Sequence, residues 1–389
     1  MRSKNIYPKG HMSKNYWHID YFQYKVYILY FLNNYIMSIN SKLVSKIPTA
    51  QEIKHEFPLN TEWKQIVADS KVEIWKILSW ESKKIILIIG PCSADFQKPL
   101  EEYAQFISEM RNLYNDKIEI IMRFYTGKPR TVWWWKWLSN SKPWDKPDIA
   151  RWIIDSRTLA ISLIEKYKIP LADEMLHPQL INMFDDIYSY LAIWARSTEN
   201  QYHREVASWV DIPIGFKNPT SWDIDVMTNS IAAGQTPSSY VLWNRVYDST
   251  GNNMSHGILR WWRVNGTNFS NFWQSDLFQA SQMLFKKWIH NPWFIVDTNH
   301  ENSNKQYQNQ INIMITVIEN IKKLQEKWTN IQPFFKWFMT ESYLIDGRQD
   351  WPKDNDETKI IPWCSLTDPC IWKEKTQVYL EELYKRLPL

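Results

Sequence analysis

The stretch Ile85–Ser93 (IILIIGPCS) frames the reading of the whole chain. Its five consecutive aliphatic residues are too few to span a membrane and too continuous for a half-exposed strand. They read as a strand buried on both faces, as in a parallel sheet covered by helices. Gly90-Pro91 ends the strand and places Cys92 and Ser93 on the loop beyond it. The same phrase recurs downstream at Ile118–Phe124, Pro170–Met175, Tyr190–Ile193, Ile212–Phe216, Gly257–Leu259, Phe294–Val296 and Phe334–Met339, eight candidate strands in all. Amphipathic stretches separate most of them, at Leu100–Leu113, Ala150–Tyr167, Pro178–Tyr188, Ile224–Ala233 and Gln306–Lys327. Eight βα repeats predict an α/β fold of the TIM (β/α)8 type, with a doubly wound sheet as the alternative.

Upstream of the barrel the spacing predicts a helical N-terminal extension over 37–80, and the barrel is expected over 81–389. Ile47-Pro48-Thr49 is a turn and cap signal, and Glu62–Leu78 has helical spacing. Residues 1–36 differ in kind. They hold seven of the 20 tyrosines and carry five basic residues against one acid, which accounts for the whole net charge of +4. They read as a leader or disordered arm, with Met37 as an expected start. The balanced remainder gives no basic footprint, so no nucleic-acid partner is expected. The apolar run Val26–Met37 is interrupted by Asn33 and Asn34 and is short for a membrane span, so no membrane association is expected. Three cysteines are too few for a disulfide scaffold, which makes a reducing cytoplasm the expected compartment.

In a barrel of this kind the chemistry sits at the C-terminal ends of the strands. Those ends carry two sets of residues. The first is cationic: Arg123, Lys128, Arg130, Arg196, Lys217 and Arg260. Six converging cations repel one another unless anions bind among them, and Arg forks suit phosphate and carboxylate. The substrates are therefore expected to be polyanionic. The second set is Cys92, His300, Glu341 and Asp368. A thiolate, an imidazole and two carboxylates suit one borderline divalent metal ion, Mn²⁺, Fe²⁺, Co²⁺ or Zn²⁺.

The segments Gly90–Ser93 (GPCS), Met122–Leu138 (MRFYTGKPRTVWWWKWL), Ala195–Ser208 (ARSTENQYHREVAS), Gly215–Asn218 (GFKN), Ile258–Trp262 (ILRWW), Val296–Lys305 (VDTNHENSNK), Glu341–Asp350 (ESYLIDGRQD) and Leu366–Cys370 (LTDPC) resemble the type I 3-deoxy-D-arabino-heptulosonate 7-phosphate (DAHP) synthases, in order and from about Ile47 onward. The resemblance implies a TIM barrel that condenses phosphoenolpyruvate with erythrose 4-phosphate and water, the first step of the shikimate pathway. It implies metal ligands at Cys92, His300, Glu341 and Asp368. It implies phosphoenolpyruvate contacts at Arg123, Lys128, Arg196, Lys217 and Arg260, adds Pro129 and Ala195 to the substrate-binding residues, and places the phosphate of erythrose 4-phosphate on Arg130 and Thr131 of the Lys128-Pro129-Arg130-Thr131 motif. Lys128, Glu174 and His300 are the implied catalytic positions, with Glu174 or Lys128 as candidates for handling the water proton. An aromatic amino acid effector, a homodimer or homotetramer, and interface or effector roles for Ile47–Leu78 are further implications. A related phosphoenolpyruvate-dependent sugar-acid synthase, or a non-catalytic barrel, is the alternative.

The departures from that pattern fall on one residue type. The family has glycine where this chain has Trp80, Trp134, Trp137, Trp152, Trp194, Trp209, Trp222, Trp261, Trp262, Trp337, Trp363 and Trp372, whereas Trp135 matches a family tryptophan. The chain has nine Gly and 24 Trp. Reading every Trp as Gly would give 33, close to the average usage of about 7%. The expectation is an alternative genetic code, in which a codon such as UGA means glycine in the source.

Overall fold

The structure is a computed structural model, and it describes residues 43–127, 148–219, 224–242, 244–264, 267–287, 289–327, 331–354 and 356–387. The described residues from Pro48 onward belong to one compact unit, and 43–47 before it is exposed chain without regular structure. Among the described residues no helix is long and apolar enough to cross a membrane.

Eight strands close into a barrel: β1 (Ile85–Gly90), β2 (Ile118–Arg123), β3 (Leu171–Glu174), β4 (Tyr188–Ile193), β5 (Ile214–Lys217), β6 (Ser255–Leu259), β7 (Phe294–Asp297) and β8 (Phe335–Glu341). Each pairs in parallel with its sequence neighbours, and β1 pairs with β8 to close the ring. In register, Ile85 faces Ile118 across the β1–β2 pair, and Gly90 faces Glu341 across the closing β1–β8 seam. The pleat divides the aliphatic residues of β1 between two cores. Ile86 and Ile88 point inward with Ile121, Ala172, Tyr190, Ile258, Ile295 and Met339. Ile85, Leu87 and Ile89 point outward onto the helices with Leu100, Ile107, Leu163 and Leu380. Burial on both faces is the reason these strands read as unbroken apolar runs.

The surrounding helices are α1 (Ala50–Glu56), α2 (Thr61–Leu78), α3 (Gln97–Tyr114), α4 (Ile149–Tyr167), α5 (Gln201–Trp209), α6 (Ile224–Gln235), α7 (Gln274–Lys286), α8 (Gln310–Glu326) and α9 (Lys373–Arg386). Thr49 and Glu52 form a reciprocal capping box at the start of α1, and Asn60, Asp148 and Asn200 cap α2, α4 and α5 through their side chains.

The structure differs from the sequence expectation in four respects. The helix expected over Pro178–Tyr188 is a short 3-10 segment, Pro178–Met183, because β4 already begins at Tyr188. The helix expected from Gln306 starts at Gln310 behind a separate 3-10 turn, Tyr307–Asn309. The sequence pattern sets no bounds for helices α5, α7 and α9, since their polar composition (QYHREVASW and KEKTQVYLEELYKR, for instance) leaves a narrow apolar stripe. Two antiparallel hairpins outside the barrel were not foreseen: Ser239–Leu242 with Arg245–Asp248, and Trp262–Val264 with Thr267–Phe269.

Candidate active site

The C-terminal ends of the strands bring most of the expected residues together. β1 delivers Cys92 through Gly90, whose φ of +155° favours glycine and where a Cβ would stand only 3.0 Å from the Arg123 backbone. β8 delivers Glu341, which is fully buried. Asp368 arrives from the long loop after β8. That loop is pinned by a two-way backbone pairing of Gly347 with Cys370 (2.8 and 3.0 Å), by Ile371 N–H on Glu341 O (3.1 Å), and by the Ser93–Thr367 hydroxyl contact (2.8 Å). Ligand atoms of Cys92, Glu341 and Asp368 consequently lie within 4.8 Å of one another. Cys92 Sγ stands 3.4 Å from Asp368 Oδ2. His300 Nε2 borders the same group, 3.7 Å from Glu341 and 4.0 Å from Asp368.

His300 opens a 3-10 turn after β7 with φ +54°, a left-handed conformation seldom used by a residue with a side chain. Its Nδ1 lies 2.8 Å from Asp297 Oδ2. Burial would raise the Asp297 carboxyl, but His300, Lys217 and Arg260 together hold it well below the usual carboxylate range. A permanent anion at Nδ1 orients the imidazole so that Nε2 faces the Glu341 and Asp368 carboxylates. A thiol and two carboxylates packed this closely would repel when ionised, so the donor set fits a cation among them.

The cationic set adjoins the first at Glu341. Arg123 leaves β2 with Nη2 on Glu341 Oε1 at 2.8 Å and Nε on Pro91 O at 3.2 Å, while its buried Nη1 has no hydrogen-bond partner. Its guanidinium lies 4.1 Å from the centre of the Tyr125 ring. Burial opposes its charge, but Tyr125, Glu341, Cys92 and Asp297 outweigh that and hold the proton more firmly than usual. Lys217, at the end of β5, is buried and bonds Glu174 Oε1 at 2.5 Å. Burial lowers its pKa; Glu174 opposes this, and Arg260 and Arg123 reinforce it. Arg260 follows β6 with its Nε buried and unpartnered. Three buried cations close to one another, with unpaired N–H donors on Arg123 and Arg260, are chemically suited to an anion.

Ala195 is buried near the end of β4, but Arg196 next to it is exposed, its guanidinium 3.7 Å from the centre of the Trp194 ring. Lys128, Pro129, Arg130 and Thr131, with Trp134, Trp135, Trp137 and Trp222, lie outside the described residues.

Sequence reasoning missed the supporting shell. Asn299 donates to Glu341 Oε2 and, at 3.0 Å, to Pro369 O. Gln310, fully buried on α8, brackets the Glu341 backbone by accepting from its N–H at 2.9 Å and donating to its C=O at 2.8 Å. Asp173 accepts from Glu174 N–H and from both the N–H and hydroxyl of Thr126, and burial pushes its carboxyl up to about 7. Asp173 and Asn299 stand at strand ends, a positional signal; Gln310 offers no sequence signal at all.

A closed parallel barrel whose mouth joins a metal-competent cluster to a buried cationic receptor defines a (β/α)8 enzyme for anionic substrates. The chain belongs to the DAHP synthetase I family, whose model matches residues 57–381. It is 30% identical over 345 residues to the Tyr-sensitive phospho-2-dehydro-3-deoxyheptonate aldolase of Escherichia coli (strain K12), covering 87% of this chain and 92% of that protein. It is 30% identical over 340 residues to the phenylalanine-inhibited enzyme of Saccharomyces cerevisiae, covering 85% and 88% respectively. It is 31% identical over 342 residues to the Trp-sensitive enzyme of Enterobacter agglomerans, covering 86% and 93%. Among solved structures, the phospho-2-dehydro-3-deoxyheptonate aldolase of Francisella tularensis SCHU S4 superposes with a TM-score of 0.79 at 28% identity, covering 90% of this chain and 98% of that one. The relatives are transferases that open aromatic amino acid biosynthesis, and the family is metal-dependent.

Proposed function

We propose that this chain condenses phosphoenolpyruvate with D-erythrose 4-phosphate and water, giving 3-deoxy-D-arabino-heptulosonate 7-phosphate and phosphate. The observation that supports it most is that the two residue sets meet at one side chain. Glu341 is bonded to Arg123 and is also a member of the Cys92–Asp368 cluster. An anion held by Arg123, Lys217 and Arg260 would therefore lie against the metal-competent cluster. Arg196 is assigned to the same substrate and Lys128–Thr131 to the aldose phosphate.

Cys92, His300, Glu341 and Asp368 would hold one divalent ion, Mn²⁺, Fe²⁺, Co²⁺ or Zn²⁺, which when bound supplies Lewis-acid polarisation of an aldehyde oxygen. The buried cations fix the phosphate and carboxylate of phosphoenolpyruvate, so that C3 is presented to the aldehyde carbon and the new C–C bond forms between held partners. Water adds at C2, and phosphate leaves by cleavage of its bond to that carbon. Arg123 keeps its charge throughout and stabilises negative charge as it develops. Lys217 is the cation that burial loosens, and Glu174 at 2.5 Å accepts its hydrogen bond; this pair is the place where the water proton is held. The sensitivities in the relatives' names support an aromatic amino acid effector, and a cytoplasmic homodimer or homotetramer is assigned with it.

The test is phosphate release from the purified chain, as written and with glycine at the twelve flagged tryptophans. It is run with divalent metal and both substrates, then with each substrate alone. Release that requires metal and both substrates supports the reading. Activity with a different aldose phosphate but none with erythrose 4-phosphate would move the assignment to another sugar-acid synthase.

A further inference from the structure

Eight residues other than glycine have positive φ in the described chain. Five of them (Lys168, Asn244, His300, Asn304 and Lys305) cluster between 52° and 59°, the narrow left-handed well that L-residues can enter. The other three are all tryptophan: Trp80 at 66°, Trp337 at 107° and Trp261 at 146°. The last two lie well outside that well, in a region that is glycine's own.

Each of the three stands in a device that calls for glycine for its own reason. Trp80 follows the cap residue Ser79 at the end of α2. Its N–H donates to Ile77 O (3.3 Å), and the N–H of Glu81 donates to Lys76 O (2.8 Å). That crossed pair is the Schellman arrangement, whose left-handed residue is usually glycine. Burial does not account for the indole there, since Trp80 is 48% exposed. Trp337 sits in β8 where the register against β7 slips. Phe294 faces Phe335 but Val296 faces Phe338, so β8 carries an extra residue in a bulge, and glycine is the usual occupant of a bulge with positive φ. Trp261 follows Arg260 where the chain turns out of β6 into the mouth. Its carbonyl is fixed by Asn218 Nδ2 at 2.6 Å, and its indole N–H is buried without a partner. The Arg260 guanidinium lies 5.6 Å from that ring.

We infer that residues 80, 261 and 337 are glycine in the working protein, and that tryptophan stands there because a codon its source decodes as glycine was translated as tryptophan. Three unrelated backbone devices share one wrong residue type, in a chain with 24 Trp and nine Gly. A single misread codon produces that coincidence, whereas independent substitutions would scatter over residue types. With glycine at 261 the orphaned indole N–H disappears, and the anion receptor around Arg260 is no longer crowded by a ring.

Two measurements test this. The first compares Trp→Ala and Trp→Gly singly at 80, 261 and 337 by thermal melting. Both remove the ring, and at position 80 both remove its stacking over Lys336, 3.5 Å away; only glycine relieves the backbone. The Gly variant is expected to melt about 2–4 °C above its Ala counterpart at each position. Alanine equal to or above glycine at all three would overturn the backbone argument. The second measurement needs no variant to fold: peptide mass spectrometry of the chain isolated from its source, across the three positions, set beside the codons. Glycine masses encoded by one shared codon are expected, and tryptophan masses at these positions refute the inference.

Discussion

Acid sensitivity centred on His256 is the sharpest physical prediction. His256 is fully buried on β6, with Nδ1 2.8 Å from Met254 O and Nε2 2.8 Å from the Tyr190 hydroxyl. The carbonyl can only accept, so Nδ1 carries the proton and Nε2 accepts from Tyr190. Both ring nitrogens are thus satisfied in the neutral form, and burial holds the pKa down to about 4 against the opposing pull of Met254 O. An unfolded chain takes up this proton below about 6.5. The contribution is therefore complete above 6.5 and is lost as pH falls toward 4. The difference is worth about 2 kcal/mol between pH 7 and pH 5 and about 3 kcal/mol by pH 4. His203, also held down to about 4 by burial, adds acid sensitivity of its own, so the comparison must be a double difference. His256→Gln keeps one donor and one acceptor and cannot titrate. Urea midpoints of both proteins at pH 7 and pH 5 should show the variant losing about 2 kcal/mol less on acidification. Equal acid losses in the two proteins, or an NMR titration of His256 near 6.5, would refute the reasoning.

Glu174→Gln removes the carboxylate from Lys217 and leaves that ammonium facing Arg260 and Arg123. A loss of about 3–5 kcal/mol in denaturant stability is expected, shrinking at high pH as Lys217 sheds its proton; a loss independent of pH would count against the pair. Gln310→Ala orphans the Glu341 backbone in a buried site. It should cost about 2–3 kcal/mol of stability and weaken divalent-metal affinity about 10–100-fold, measured by denaturation and calorimetric titration. Cys92→Ala should abolish high-affinity metal binding while leaving circular dichroism unchanged, and unaltered binding would remove Cys92 from the ligand set. Asp173, raised to about 7, works in the opposite sense to His256: its contribution is complete below about 4 and is lost as pH rises through 7, so stability should decline from pH 6 to pH 8 in the parent and less in Asp173→Asn.

The apolar runs at Ile85–Ile89 and Ile118–Phe124 announced buried strands, and their repetition announced the barrel. A strand covered on both faces must be apolar throughout, and that requirement is local. The charged residues at the strand ends were legible for the same reason, because a strand that stops at an Arg, Glu or Lys has reached the mouth. The glycine deficit was legible from composition alone. Three-dimensional closure decided the rest. Cys92 and Asp368 stand 276 positions apart and meet only because β1 pairs with β8 and the last loop folds back over the mouth. Gln310 and Asn299 acquired their relation to Glu341 in the same way, through packing that no spacing rule encodes. The backbone angles at 80, 261 and 337 belong to that second class, since φ is set by where the chain must go next. Composition could say that glycine was missing; the tertiary structure says where the backbone needs it.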